Sequence, residues 1–75
     1  MKTFLVCFNC GNGIFSSNMI WSNTGVSDQE SVQEAAERHA SRFGYQVSSI
    51  RELSECEVNS NLRRGMPYYS ADKEV

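Results

Sequence analysis

The chain has 75 residues, of which 40% are hydrophobic and 21% are charged, and its formal net charge is −2. This length allows one domain with a small core, and the mild acidity argues against the broad cationic surface of a protein that grips nucleic-acid backbones. The longest strongly apolar run, at residues 4–8, is far shorter than the ~20 residues of a membrane-spanning helix.

The cysteine content and the N-terminus both point to a reducing compartment. Three cysteines form an odd number, which fits a closed disulfide framework poorly. The first residues lack the long apolar stretch of a secretory signal. We therefore expect free thiols and a cytoplasmic location.

The first two runs of apolar residues flank Asn12-Gly13, which predicts a type I′ hairpin with a two-residue loop. If the two strands pair from that loop without a bulge, the large apolar side chains lie on one face of the hairpin. That face carries Phe4, Val6, Phe8, Cys10, Phe15, Met19 and Trp21. The opposite face then carries Leu5, Cys7, Asn9, Ile14, Ser16, Asn18 and Ile20.

A helix is predicted to begin after a capping box formed by Ser27 and Glu30 and to end near Gly44. Residues at helical spacing predict its buried side. They are Val32, Ala35, Ala36, His39, Ala40 and Phe43.

The segment 45–53 is predicted to be a third strand. Its apolar alternation breaks after Val47, which indicates either a bulge near Ser48-Ser49 or a shorter strand. Ser54 and Glu57 repeat the capping box and predict a short second helix over residues 54–65, which Pro67 prevents from continuing. We expect a mobile tail over residues 71–75.

These elements predict an α+β fold with the order ββαβα, as one small domain over residues 1–70. The predicted sheet is antiparallel and three-stranded, with the strand order 2-1-3. The main helix crosses over the sheet in the right-handed sense and packs on the Phe4/Trp21 face.

Cys7 and Cys10 form a C-x-x-C motif that is typical of zinc knuckles. A Cys3His site would need these two residues together with His39 and Cys56. The hairpin register points Cys7 and Cys10 to opposite sides, because residues three apart in a strand face opposite ways. The motif also lacks the helix N-terminus that activates redox cysteines. We therefore predict no metal and no cofactor, and retain the zinc-stabilised module as an alternative.

The sequence offers no catalytic constellation. Its single histidine, His39, lies at the edge of the predicted core side of the helix, as expected for a structural residue, and no spacing pairs it with a cysteine nucleophile. The glycines around Asn12 lead into a strand, whereas phosphate-binding loops lead into a helix. We predict that the protein is not an enzyme.

Strand 1 is apolar on both faces, so the side opposite the main helix needs a cover. The residues that need it are Leu5, Ile14 and Ile20. The second helix and tail, a second copy of the chain, or a foreign protein would each provide one. The second possibility makes these residues a candidate homodimer face.

Two segments carry residue types suited to a protein interface. Residues 63–69 include Arg63, Arg64, Met66, Tyr68 and Tyr69, and arginine, tyrosine and methionine are enriched at interfaces. The main helix carries an acidic stripe of Glu30, Glu34 and Glu37, which would steer a basic partner. The alternatives are that the tyrosines pack on the sheet and that the stripe is ordinary solvated charge.

The sequence is therefore most typical of a non-enzymatic protein-binding module, a small regulator or inhibitor. Small domains of this class include proteins of phages and other mobile elements, such as anti-CRISPR proteins, and that expectation rests on size and class. We rank nucleic-acid binding through Arg51, Arg63 and Arg64 below protein binding.

Overall fold

The computed structural model describes residues 2–23 and 28–71. Its elements are β1 (Lys2–Gly11), β2 (Ile14–Ser22), α1 (Asp28–Phe43), β3 (Gln46–Leu53), α2 (Glu55–Arg63) and β4 (Tyr68–Ser70). The mixed α+β class is confirmed. The predicted cap at Ser27 and the predicted tail beyond residue 71 lie outside the described residues.

The sheet has four strands in the order β3-β1-β2-β4, so the prediction of three strands is wrong. β1 is antiparallel to both β2 and β3, as predicted, whereas β4 runs parallel to β2. Two backbone hydrogen bonds flank β4, from the Met19 N–H to the Pro67 carbonyl and from the Ala71 N–H to the Trp21 carbonyl, each 2.8 Å long. These bonds extend the sheet with a strand of only three residues.

The hairpin loop is the predicted one, but the register beyond it is not. Asn12 and Gly13 have φ angles of 55° and 76°, and Gly11 pairs with Ile14. The register then shifts between Asn9 and Gly11, where Cys10 is the extra residue of a bulge. Because a shift of one residue reverses which face a side chain occupies, the predicted sorting of β2 is wrong.

The shift moves Ile20 into the core and takes Trp21 out of it. Ile20 pairs with Phe4 and is 3% exposed, within the cluster that α1 covers. Trp21 pairs with Thr3 on the other face. The prediction that Ile14 and Ile20 share an uncovered face with Leu5 is therefore wrong, because both isoleucines lie on the α1 side of β2.

The core lies between α1 and the sheet. Three small residues on α1, Val32, Ala36 and Ala40, are buried against the strands, and their size lets the helix lie close to the sheet. The core cluster is formed by Phe4, Val6, Phe8, Ile20, Val32, Ala36, Ala40 and Ala71. Phe43, which the helical spacing places in the core, is 54% exposed because it lies at the last residue of α1, on the rim of this cluster.

The predicted third strand and the predicted start of α2 are confirmed, and of the two explanations for the irregular strand the bulge is the one observed. Cys7 pairs with Ser49 and Phe8 with Val47, which leaves Ser48 as the extra residue of a bulge. Ser54 caps α2 through a complete capping box with Glu57. Hydrogen bonds from the Ser54 backbone and from Arg51 stabilise the charged Glu57 carboxylate, so the pKa of Glu57 lies below its usual value.

The second sheet face is covered over one half only. Thr3, Met19 and Leu53 are buried there, and α2 forms a cleft of about 410 Å³ with the sheet through Val58 and Leu62. The half nearer the hairpin loop is open, since Leu5 and Cys7 are partly exposed there and Phe15 is 60% exposed. Ile14 is 61% exposed at the hairpin tip, and it lies on the α1 side of the sheet because it alternates with Phe15. Within the described residues, no helix has the length and apolar character needed to cross a bilayer.

Candidate protein-binding surface

The three cysteines are free thiols in separate surroundings. The Cys7 sulfur lies 3.4 Å from the Ser17 hydroxyl, and the Cys10 sulfur lies 3.7 Å from the Ser16 hydroxyl, on opposite faces of the hairpin. Cys56 is exposed on α2. Across residues 2–23 and 28–71, no three His, Cys, Asp or Glu side chains come together as a metal site. The alternative zinc set with His39 is therefore not assembled.

The structure divides the predicted interface segment 63–69 between the two sides of the sheet. Neighbouring residues of a strand point opposite ways, and β4 separates its two tyrosines accordingly. The ring of Tyr68 lies 6.1 Å from the ring of Trp21 on the second face. The ring of Tyr69 lies 5.9 Å from that of His39, on the side of α1.

The rest of that segment lies with α2. Arg63 is the last residue of α2, Arg64 is its C-cap, and both are exposed. Met66 is partly buried, and its N–H donates a 3.1 Å hydrogen bond to the Asn61 carbonyl. The two arginines therefore do not share a sheet face with Tyr69.

Tyr69 belongs instead to a cluster of rings at the C-terminal end of α1. His39 is its centre, with ring-centroid distances of 4.9 Å to Phe43, 5.1 Å to Phe8 and 5.9 Å to Tyr69. Phe43 also stacks on Tyr45 at 5.7 Å. We call the exposed part of this cluster, formed by His39, Phe43 and Tyr69, the aromatic surface.

The aromatic surface is both accessible and held in place. Phe43 is 54% exposed and Tyr69 is 47% exposed, while Phe8 beneath them is fully buried. His39 is partly buried and links the exposed rings to that buried one. The exposed side chains are therefore anchored to the core, and ordering them on binding would cost little conformational entropy.

The electrostatics of the surface favour a neutral imidazole. Burial lowers the pKa of His39 below its ordinary value of 6.5, and the nearby Arg42 guanidinium lowers this pKa further. At neutral pH the ring is therefore uncharged, and the surface presents aromatic rings beside one cation. This combination of aromatic rings and arginine is characteristic of protein interfaces.

The predicted acidic stripe lies on the outer side of α1. Glu30, Glu34 and Glu37 are exposed, and their spacing of four and three residues places them on one side of the helix. The Gln33 amide donates a 3.4 Å hydrogen bond to the Glu37 carboxylate. The stripe is therefore available for charge steering, although it is separate from the aromatic surface.

The sequence indicated Tyr69 as an interface residue, but it placed Phe43 on the core side of the helix and His39 at the edge of that side. The signal that was available is the position of Phe43 directly before Gly44, where a helix ends and a side chain has fewer neighbours to cover it. A scan against protein-family models matches no family, and searches of curated proteins and of solved structures find no significant match to this chain.

Proposed function

We propose that this protein is a non-enzymatic protein-binding module, a small regulator or inhibitor that acts by occupying a surface of a larger protein. The observation that carries the proposal is the aromatic surface of His39, Phe43 and Tyr69, where exposed rings are fixed on a buried one. Within this proposal, an anti-defence inhibitor of a phage or mobile element, such as an anti-CRISPR protein, is the class that the size of the chain suggests.

The chemistry of the surface supports a protein partner over a nucleic acid. Aromatic anchors in a desolvated contact dominate the energy of protein interfaces. Nucleic-acid affinity, in contrast, depends chiefly on many cations that contact phosphates. The chain has a net charge of −2, and Arg51 is already bonded to Glu57 at 3.0 Å.

The test is quantitative affinity capture from a lysate of the cells that encode the chain. The bait is the protein itself, compared with the double variant Phe43→Ala/Tyr69→Ala. Removal of two hot-spot rings is expected to weaken binding of the partner by roughly a thousandfold, because each such ring contributes on the order of 2 kcal/mol to binding.

Leu62→Ala provides the matched control. Leu62 is also apolar and exposed, at 43%, but it lies on α2 beside the second sheet face. This variant is expected to capture the partner as the unmodified protein does. Equal capture by all three baits would contradict the proposal, and so would capture that nuclease treatment abolishes.

A further inference from the structure

β3 (Gln46–Leu53) is an edge strand. It pairs with β1 on one side, and no strand of the described chain pairs with its other side. An edge strand directs alternate backbone N–H and C=O groups away from the sheet, where they are able to pair with another extended chain. The outer side of β3 therefore has the hydrogen-bonding groups to accept one more strand.

A groove runs beside this edge, between β3 and α1. It has a volume of about 700 Å³ and is open to solvent. Val47, Ile50 and Ala40 line it and also pack on the core, so the floor of the groove is rigid. Strand addition beside a helix therefore meets a preformed site, with little ordering of the protein required.

The dimensions suit a short extended segment. The helix residues that line the groove run from Gln29 to Ser41, a span of about 18 Å at the rise of an α-helix. The lining residues of β3 run from 46 to 50, a span of about 13 Å in extended chain. A segment of roughly five extended residues would fill the groove.

The groove is acidic. Glu37 is the one charged residue among those that line it, and the Gln33 amide donates its 3.4 Å hydrogen bond to that carboxylate. Glu30 and Glu34 lie next to it on the outer side of α1. A lysine or arginine side chain that enters the groove from the solvent would complement the negative charge of Glu37.

We propose that an extended segment of a partner protein adds to the outer edge of β3 as a fifth strand, with a lysine or arginine side chain directed towards Glu37. Backbone hydrogen bonds to β3 provide the affinity, and the groove binds every second side chain of the segment and so provides the specificity, as in other cases of strand addition. This site adjoins the aromatic surface at Tyr45, which lines the groove and stacks on Phe43, but the two sites share no residue and are tested by different variants.

The same charges disfavour a second copy of this chain at the edge. A symmetric pairing of two β3 strands would place two α1 helices side by side, with the Glu37 sides facing each other. Like charges in such a contact repel.

The experiment uses the full chain, labelled with ¹⁵N, and an acetylated seven-residue peptide of alternating lysine and valine. We expect the peptide to shift the backbone amide signals of residues 46–50 and to slow their hydrogen exchange. A version of the peptide with N-methyl groups on alternate backbone amides is expected to lose this effect, because it cannot complete the ladder.

Two variants of equal charge change test the side-chain contact. Glu37→Lys is expected to weaken peptide binding about fivefold or more, whereas Glu34→Lys is expected to change it less than about twofold. Glu34 is a matched control because it lies on the same helix and in the same stripe but does not line this groove. Both variants leave Phe43 and Tyr69 unchanged.

Three results would overturn the proposal. The first is the absence of shifts at residues 46–50 at millimolar peptide. The second is equal binding of a peptide in which glutamate replaces lysine. The third is a dependence of the β3 signals on protein concentration without peptide, which would show that a second copy occupies the edge.

Discussion

His39 is the residue on which the aromatic surface depends. It contacts the buried ring of Phe8 and the exposed rings of Phe43 and Tyr69. Burial and, to a lesser extent, Arg42 lower its pKa in the folded chain. The unfolded chain therefore binds a proton to this histidine more readily than the folded chain does, which couples the stability of the domain to pH.

We predict that the His39 imidazole titrates with a midpoint below 6.5, measured by the NMR signals of its ring protons. The contribution of this group to stability is complete above the unfolded pKa. It is lost as the pH falls from about 6.5 towards the lower folded pKa, where the loss levels off.

Arg42→Gln is expected to raise the midpoint, because it removes the nearby positive charge. Arg42→Lys keeps that charge and is expected to leave the midpoint close to that of the unmodified protein. A midpoint at or above 6.5 in the unmodified protein would contradict the burial of His39.

Helical spacing correctly predicted which side chains of α1 face the sheet, but it did not predict how deeply each of them is buried. Val32, Ala36 and Ala40 are buried as the spacing predicts. Phe43 shares their direction, yet it lies on the rim. Periodicity indicates which side of a helix faces the core. It does not indicate how far the sheet extends beneath the helix, because that extent depends on strand pairings elsewhere in the chain.

At the level of elements, the local signals were sufficient for turns and caps but not for register and the last strand. Asn12-Gly13 and Ser54 are correctly predicted because their conformations depend on adjacent residues. The bulge at Cys10 depends on how the whole of β2 packs, since it places Ile20 under α1. β4 has only three residues and depends on a distant partner, so no periodic pattern reveals it.

The cap of α2 provides a prediction at this scale. No residue of α2 is fully buried, so the helix depends strongly on its capping box. Ser54→Ala is expected to lower the free energy of unfolding by about 1 kcal/mol, measured by chemical denaturation, because it leaves the Glu57 N–H without its acceptor. Ser54→Gly serves as the matched comparison and is expected to cost only a few tenths of a kcal/mol. Equal stability of Ser54→Ala and the unmodified protein would show that the cap is unimportant.

At the level of the whole molecule, α1 covers the sheet and separates two exposed surfaces. The aromatic surface lies towards β4, and the acidic groove lies towards β3. The hairpin half of the second sheet face is a third exposed region, with Leu5 partly exposed and Phe15 60% exposed. The predicted homodimer remains a prediction for this region, and of the three residues predicted for its interface only Leu5 lies there, since Ile14 and Ile20 are on the α1 side.

Site-specific photo-crosslinking tests directly whether the aromatic surface contacts another protein. Benzoylphenylalanine is placed at position 43 in one sample and at position 62 in another, and each is irradiated in cells that encode the chain. We predict a dominant adduct with one larger protein at position 43 and little or none at position 62. Equal adducts at both positions, or adducts at position 43 only with nucleic acid or with a second copy of this chain, would contradict it.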